Sequence, residues 1–125
     1  MSGRDINEVN RDFQKGLYTG ISVLILLGIV GNSREPIYGY QIAKIVESNT
    51  ADVPIIKLGT LYPILRGLEN DGLLESKIDP SVTGPPRKYY TITAAGRQAL
   101  EQLTGTWKEG KKFMDSILAG ARNDK

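Results

Sequence analysis

One predicted helix face groups side chains that can bind a polyanion. Three leucines recur at helical spacing in LGTLYPILRGLENDGLL and predict a buried stripe: Leu61, Leu65 and Leu68. The opposite face carries Pro63 and Arg66, with Thr60 and Tyr62 at its flanks. Arginine can pair with guanine edges or phosphate, and the two hydroxyl groups can bond phosphate. The pattern predicts DNA contact by these four residues. The alternative is that Tyr62 packs under the wing, the β-hairpin predicted to follow this helix, and that only Arg66 is exposed.

Pro63 stands inside this helical pattern, where proline is normally unfavourable. A helix that begins near Lys57 or Leu58 places Pro63 no later than its second turn. Its missing N–H then costs at most one or two early helical hydrogen bonds. We therefore interpret Pro63 as a local bend that offers a smooth surface without a donor.

Four further residues carry cations or hydroxyl groups at positions suited to DNA. Arg87 and Lys88 follow the turn sequence GPP, where a cation can reach phosphates or the minor groove. Tyr40 and Lys44 face outward from another predicted helix and are candidates for phosphate contact. The alternative for Arg87 and Lys88 is a solvated strand end, and Tyr38 is predicted to be a core residue.

The residue types weigh against an enzyme. The sequence has no histidine and no cysteine, which removes the commonest general base, the commonest metal ligand and the thiolate nucleophile. The carboxylates show no paired arrangement, and neither a phosphate-binding glycine loop nor a metal-ligand spacing is present. We expect no catalytic residues, no metal and no cofactor. The net charge is only +2, so any nucleic-acid surface must come from local clustering of cations.

The elements that position these residues follow from periodicity and turn signals. Helices are predicted over 13–30 and 38–49, separated by a turn at 31–36, and the helix beginning near residue 58 ends at Gly72. Strands at 73–78 and 87–93 flank a turn-rich loop at 79–86. Thr93 is the predicted N-cap of a long last helix. The fold class is mainly α with a small β-hairpin, the winged helix-turn-helix.

The predicted organisation is one domain with appendages. A flexible segment at 1–12 precedes the winged helix-turn-helix at 13–92, and a C-terminal dimerisation helix at 93–121 precedes a tail at 122–125. The apolar run ISVLILLGIV spans ten residues, about half a bilayer crossing, and is interpreted as the buried part of a helix. We expect a cytoplasmic protein.

The last helix carries an apolar seam that the small core does not use. Apolar positions alternate in steps of three and four, which is the period of a helix that packs lengthwise on another helix. They are Leu100, Leu103, Trp107, Gly110, Met114, Ile117 and Ala121. A homodimer is predicted, with its interface at Leu100, Leu103, Trp107, Met114 and Ile117.

Trp107 has two interpretations. The plain one is an anchor of the dimer interface. The sharper one uses Gly105 and Gly110, which leave space beside the indole face for a flat apolar ligand. The predicted lining of such a pocket is Phe13, Leu17, Trp107, Gly110 and Met114.

Three segments together resemble the PadR family of bacterial transcriptional regulators. They are YGYQIAKIV (38–46), GTLYPILRGLENDGLL (59–74) and GPPRKYYTITAAGRQAL (84–100), and with the preceding helix they cover most of residues 17–103. The resemblance implies a homodimeric repressor that binds double-stranded operator DNA and is released by a small aromatic or drug-like compound. Trp107 is similar in placement to a tryptophan found in drug-responsive members. Two positions depart from the family pattern: Lys57 and Leu58 replace a small helix cap, and Ile78 replaces an aromatic residue.

Two other functional classes stay open on the sequence. A winged helix can serve as a protein-interaction module without DNA binding. A small-molecule-binding protein without DNA function would also use Trp107. Binding to a promoter fragment at low salt separates both from the repressor hypothesis.

Overall fold

The computed structural model describes residues 3–50, 55–80 and 84–123, with side chains described for 3–48, 55–80 and 84–120. The chain order is helix, short strand, two helices, two strands and a long helix. These elements are α1 (Ile6–Asn32), β1 (Ile37–Tyr38), α2 (Gly39–Thr50), α3 (Leu58–Asn70), β2 (Leu74–Asp79), β3 (Arg87–Ile92) and α4 (Ala94–Asn123). The predicted fold class is confirmed. The predicted loop 79–86 and tail 122–125 lie partly outside the described residues.

The core is built from the inner faces of α1, α2, α3 and the sheet. Six side chains in it are almost fully buried: Leu26, Leu27, Ile42, Leu61, Leu65 and Leu74. Tyr90 is buried beside them, on the same face of β3 as the half-buried Ile92. The leucine stripe predicted for α3 therefore lies in the core as its periodicity indicated.

The sheet has three strands rather than two. Its order is β1-β3-β2, antiparallel throughout, and Tyr38 lies opposite Tyr89 in the added pair. The prediction that placed Tyr38 at the start of a helix and in the core was wrong. Tyr38 lies in β1 because the edge of β3 supplies partners for its backbone hydrogen bonds. Its side chain is half-buried. The third strand also supports a hairpin that would be marginal alone.

The first helix begins at Ile6 rather than at Phe13. Asp5 accepts a hydrogen bond from the Asn7 N–H, and the Glu8 carboxylate accepts one from the Asp5 N–H, which together form a capping box. The prediction of a flexible segment over 1–12 is therefore wrong from Ile6 onward. The cap starts a helix before its apolar stripe reaches the core.

Among the described residues, α1 is also the one helix long and apolar enough to span a membrane by length and composition. The apolar part of this helix is therefore longer than the ten-residue run identified in the sequence. In this fold Leu26, Leu27 and Val30 in its second half are buried in the protein core. A core helix passes the same test, so the composition is weak support for a membrane span.

A set of local bonds joins the end of α3 to the start of α4. Gly72 takes a φ of 78°, and the N–H groups of Gly72 and Leu73 donate to the carbonyls of Glu69 and Leu68. The Thr93 hydroxyl donates to the Gly72 carbonyl and accepts from the Gly96 N–H at 2.9 Å. The predicted stop at Gly72 and the predicted cap at Thr93 are confirmed. The two helices are thereby fixed around the hairpin.

Candidate nucleic-acid interface

The outward face of α3 is an exposed ridge. Pro63 and Arg66 are exposed on it, while the leucine stripe on the other side is buried. Lys57 is the N-cap residue without a side-chain cap bond, and the Thr60 hydroxyl donates to the Lys57 carbonyl at 2.8 Å. Pro63 is therefore in the second turn, and the helix continues past it to Asn70. The ridge has the exposure that a helix entering a groove requires.

Tyr62 lies on one flank of this ridge. Its side chain is 38% exposed, and its ring covers Gly39 at the start of α2 so closely that a Cβ there would collide with it. Tyr62 therefore packs against α2, which differs from the alternative that placed it under the wing. Its exposed part faces the same solvent as Arg66 and Pro63. Gly39 is needed because the ring occupies the space of a side chain.

A row of two tyrosines and two cations connects the wing to α2. The Arg87 guanidinium lies 4.7 Å from the Tyr38 ring centre, and the Tyr38 and Tyr40 rings are stacked at 6.5 Å. The Lys44 ammonium lies 5.4 Å from the Tyr40 ring centre. We call Arg87, Tyr38, Tyr40 and Lys44 the tyrosine row. Cation–π contacts of this kind hold the two positive groups in place while leaving them in contact with solvent.

Arg87, at the wing end of the tyrosine row, interacts with two tyrosine side chains. The pKa of Arg87 is raised, chiefly by side-chain hydrogen bonding with Tyr89 and then by the charge interaction with Tyr38. The Tyr89 ring also meets the Tyr38 ring edge-on at 5.3 Å. Arg87, which like any arginine is positive at physiological pH, is oriented by two aromatic side chains.

Lys88 is engaged differently from Arg87. Its ammonium lies 2.9 Å from the Glu69 carboxylate of α3, and Glu69 also accepts a hydrogen bond from the Ser76 hydroxyl at 2.5 Å. The pKa of Lys88 is raised, first by the bond to Glu69, and that of Glu69 is lowered, first by the bond from Lys88. Burial raises the pKa of the neighbouring Tyr90. Of the two wing cations, Arg87 is the one whose charge no carboxylate neutralises among the described ion pairs.

The eight residues predicted to contact DNA thus form three groups. Tyr62, Pro63 and Arg66 share the α3 ridge, with Thr60 at its α1 side. Tyr40, Lys44 and Arg87 belong to the tyrosine row, and Lys88 joins the wing to α3. Sequence reasoning missed Tyr38 and Tyr89 as members of this surface. The alternation of side chains in RKYYTI puts Tyr89 on the face of β3 opposite to Tyr90. The pairing of β3 with β1 depends on tertiary structure, which this segment does not indicate.

The predicted ligand and dimer residues lie on α1 and α4. Leu100 contacts Gly28 and Gly31 of α1, and Leu103 is half-buried beside it. Beyond that point Trp107, Gly110, Met114 and Ile117 are exposed, as are Phe13 and Leu17 on α1. Added Cβ atoms at Gly105 and Gly110 would meet nothing. In a single chain these residues form open apolar surface, and a ligand pocket among them stays a prediction.

Within the described ranges, no group of three or more histidine, cysteine, aspartate or glutamate side chains is placed to hold a metal ion.

A family model and several solved structures that resemble this chain belong to one family. Residues 26–102 match the model of the transcriptional regulator PadR-like family. A protein of Lysinibacillus sphaericus without an assigned function is 34% identical over 83 residues, which are 66% of this chain and 76% of that one. Transcriptional regulator Rv3488 of Mycobacterium tuberculosis is 52% identical over 44 residues, 35% of this chain and 40% of the relative. The crystal structure of a PadR family transcriptional regulator from Eggerthella lenta is similar with a TM-score of 0.75 and 31% identity, covering 90% of this chain and 94% of that one.

Proposed function

Because the chain belongs to the PadR-like family of transcriptional regulators, we propose that it is a homodimeric repressor that binds a pseudo-palindromic operator. It is a transcriptional regulator and not an enzyme. The observation that carries the proposal is the exposed α3 ridge flanked by the tyrosine row. Helix-turn-helix dimers place two such helices in major grooves one helical turn apart, about 34 Å.

Base recognition is assigned to the α3 ridge. Arg66 is exposed, and no carboxylate pairs with it among the described ion pairs, so its guanidinium is free to pair with a guanine edge or a phosphate. The Tyr62 hydroxyl would donate to a phosphate, and Thr60 would do so only by giving up its hydrogen bond to the Lys57 carbonyl. Pro63 would let the α3 backbone approach the groove without presenting an N–H donor. Replacing Arg66 by alanine should weaken the free energy of operator binding by about 1–3 kcal/mol and relax specificity at one base pair.

Backbone contact is assigned to the tyrosine row. Arg87 and Lys44 are separated by two stacked rings, so the row carries one positive group at each end. Tyr40 is exposed beside them and can donate its hydroxyl to a phosphate. Lys88 would contribute to DNA only to the extent that phosphate competes with Glu69 for its ammonium.

Dimerisation is assigned to the open apolar surface of α1 and α4. Trp107, Met114 and Ile117 are 40%, 43% and 54% exposed, which is unusual for large apolar side chains on one helix face. Leu100 packs on the face of α1 that carries Gly28 and Gly31. Toward the start of α1 the same face carries Phe13 and Leu17, which are exposed. A second copy would bury these stripes by packing its own α4 lengthwise against them.

An effector site is proposed at the same interface. A flat aromatic or drug-like compound would lie against Trp107, in the space left by Gly110, with Phe13, Leu17 and Met114 as walls. The dimer can have different spacings between its two α3 helices, which we call the reading helices. Such a compound would bind these forms of the dimer with different affinities and so shift the population between them. We propose release from the operator as the result. The protein would act in the cytoplasm, where operator DNA is found.

A binding titration tests the proposal. Purified protein is titrated against a labelled fragment of its own promoter and against a scrambled duplex, from 50 to 200 mM salt. We expect tighter binding to the promoter fragment and a steep loss of affinity with salt. No binding to either duplex at the lowest salt would contradict DNA binding and favour the protein-interaction module. Quenching of Trp107 fluorescence by aromatic compounds without DNA retardation would favour a small-molecule-binding protein.

A further inference from the structure

A groove of about 810 Å³ runs between α1 and the start of α3, on the side of α3 away from Tyr62. We call it the α1–α3 groove. Its α1 wall consists of side chains that recur at helical spacing: Arg11, Lys15, Tyr18 and Ser22. Its α3 wall consists of Lys57, Thr60, Pro63 and Ile64. Pro63 and Thr60 belong both to this groove and to the proposed DNA-reading surface, so the two surfaces are continuous.

The groove is separate from the proposed dimer and effector surface. Phe13 and Leu17 stand two residues from Lys15, which at about 100° per residue places them on the opposite face of α1. A second copy packed on Phe13 and Leu17 would therefore leave the Arg11 and Lys15 face open.

The charge of the groove is positive. Arg11, Lys15 and Lys57 make no ion pair within the described part of the chain. Asp12, the carboxylate at the rim, is paired with Arg4. Three cations and one neutralised carboxylate make the groove complementary to an anion.

The hydroxyl groups in the groove leave the cations as its main donors. Thr19 donates to the Lys15 carbonyl at 2.7 Å and Thr60 to the Lys57 carbonyl at 2.8 Å. Ser22 donates to the Tyr18 carbonyl. Of the groove hydroxyl groups, only that of Tyr18 donates to no acceptor among the described hydrogen bonds, so contact with an anion is mainly ionic and will depend on salt.

We propose that the α1–α3 groove binds the sugar–phosphate backbone of the operator beside the reading helix, through Arg11, Lys15 and Lys57. This rests on the proposed DNA binding. The major groove is about 12 Å wide and has a phosphate strand on each side of an inserted helix. The tyrosine row and Tyr62 occupy one flank of α3. The α1–α3 groove supplies cations on the other flank, where they can contact the second strand.

Salt-dependent affinity of a charge-matched pair of variants tests the proposal. Lys15→Gln/Lys57→Gln removes two groove cations, and Lys108→Gln/Lys112→Gln removes two exposed cations from α4 off its apolar seam. Both change the net charge equally, so general attraction to DNA falls equally. Binding to promoter and scrambled duplexes is measured by fluorescence anisotropy from 50 to 200 mM salt. Thermal unfolding and gel filtration confirm that both variants fold and assemble as the parent does.

We expect the slope of log affinity against log salt to become shallower by about 1.8 in the groove variant, since each lost phosphate contact contributes about 0.9. The slope of the α4 variant should stay at the parent value. The ratio of promoter to scrambled affinity should be unchanged, because phosphate contacts carry no base information. Adding Arg11→Gln should reduce the slope again by about 0.9.

One result would overturn the proposal while leaving DNA binding intact: a parent that binds DNA with a steep slope and a groove variant that keeps that slope. If that variant also binds 2-naphthoate more weakly than the parent does, the groove is a small-anion site. A parent that binds no DNA would instead remove the proposed function itself.

Discussion

The Lys88 ammonium lies 2.9 Å from the Glu69 carboxylate and thereby joins the root of the wing to α3. The Ser76 hydroxyl donates to the same carboxylate, so β2, β3 and α3 meet at one acceptor. The pair is partly exposed, with the Glu69 side chain at 29% and Lys88 at 41%. A DNA phosphate arriving at the wing would compete with Glu69 for Lys88. The ion pair therefore holds the wing against α3, and it also makes the Lys88 ammonium less available to a phosphate.

Replacing Glu69 by glutamine should strengthen DNA binding. The variant releases the Lys88 ammonium, and one more cation then becomes available to phosphate. We expect higher affinity for promoter and scrambled duplexes alike, and a salt slope steeper by up to about 0.9. Glu75→Gln, an exposed carboxylate on β2, is the charge-matched control. Equal gains in the two variants would mean that net charge alone is responsible.

The same substitution should remove part of the acid sensitivity of folding. Hydrogen bonds from Lys88 and Ser76 lower the pKa of Glu69 below 4.5, so the folded carboxylate holds its proton less tightly than the unfolded one. The stabilisation is present above that pH and is lost as the pH falls through the folded pKa. The pKa of Lys88 is raised above 10.5, so its share is present below that pH and is lost as the pH rises through the folded pKa.

Urea unfolding of the parent and Glu69→Gln at pH 7 and pH 3.5 measures this effect. At pH 7 the free energy of unfolding of the variant should be lower than that of the parent by no more than about 1 kcal/mol, since the pair is partly exposed. At pH 3.5 the difference should shrink. A constant difference across this range would show that the pair is not the source of the acid sensitivity.

Arg87 should contribute to DNA affinity through its charge and its orientation over Tyr38. Arg87→Gln should make the salt slope shallower by about 0.9 and weaken all duplexes equally. Arg87→Lys keeps the charge, so it should keep the slope while losing part of the affinity, because lysine lacks the planar stacking group. Equal slopes for parent and Arg87→Gln would place the wing root away from phosphate.

The elements with strong periodicity and clear end signals could be predicted from the sequence. The leucine stripe of α3, the stop at Gly72 and the cap at Thr93 each depend on neighbours within a few residues. Two features were missed because they depend on distant parts of the chain. Tyr38 joins the sheet only because the edge of β3 lies beside it. Lys88 is held by a carboxylate that comes nineteen positions earlier, Glu69, and nothing in RKYY indicates that partner.

Gly96 should be the glycine of α4 least able to accept a side chain. A Cβ there would collide with the Leu73 carbonyl and press on Ile92, and the carbonyl is backbone that cannot rotate away. Gly96→Ala should destabilise the fold by about 1–3 kcal/mol through overpacking. A Cβ added at Gly120 on the same helix meets nothing, so Gly120→Ala should stabilise the helix by up to about 1 kcal/mol. Thermal unfolding of both variants measures the contrast, and similar midpoints would contradict the close packing at Gly96.

Trp107 should matter for assembly and for aromatic ligands but not for the DNA surface. It lies on α4, whereas the tyrosine row and the α3 ridge lie on other elements. Trp107→Ala should weaken dimerisation, seen as a higher dissociation constant in sedimentation experiments, and should remove tight binding of a planar aromatic dye. At concentrations above that constant the operator affinity should stay within a few-fold of the parent. Phe113→Ala is the matched control, because Phe113 is an exposed aromatic residue on α4 that lies off the apolar seam. A dye that binds Trp107→Ala as tightly as the parent would place the effector site elsewhere, while an unchanged dissociation constant would remove Trp107 from the interface.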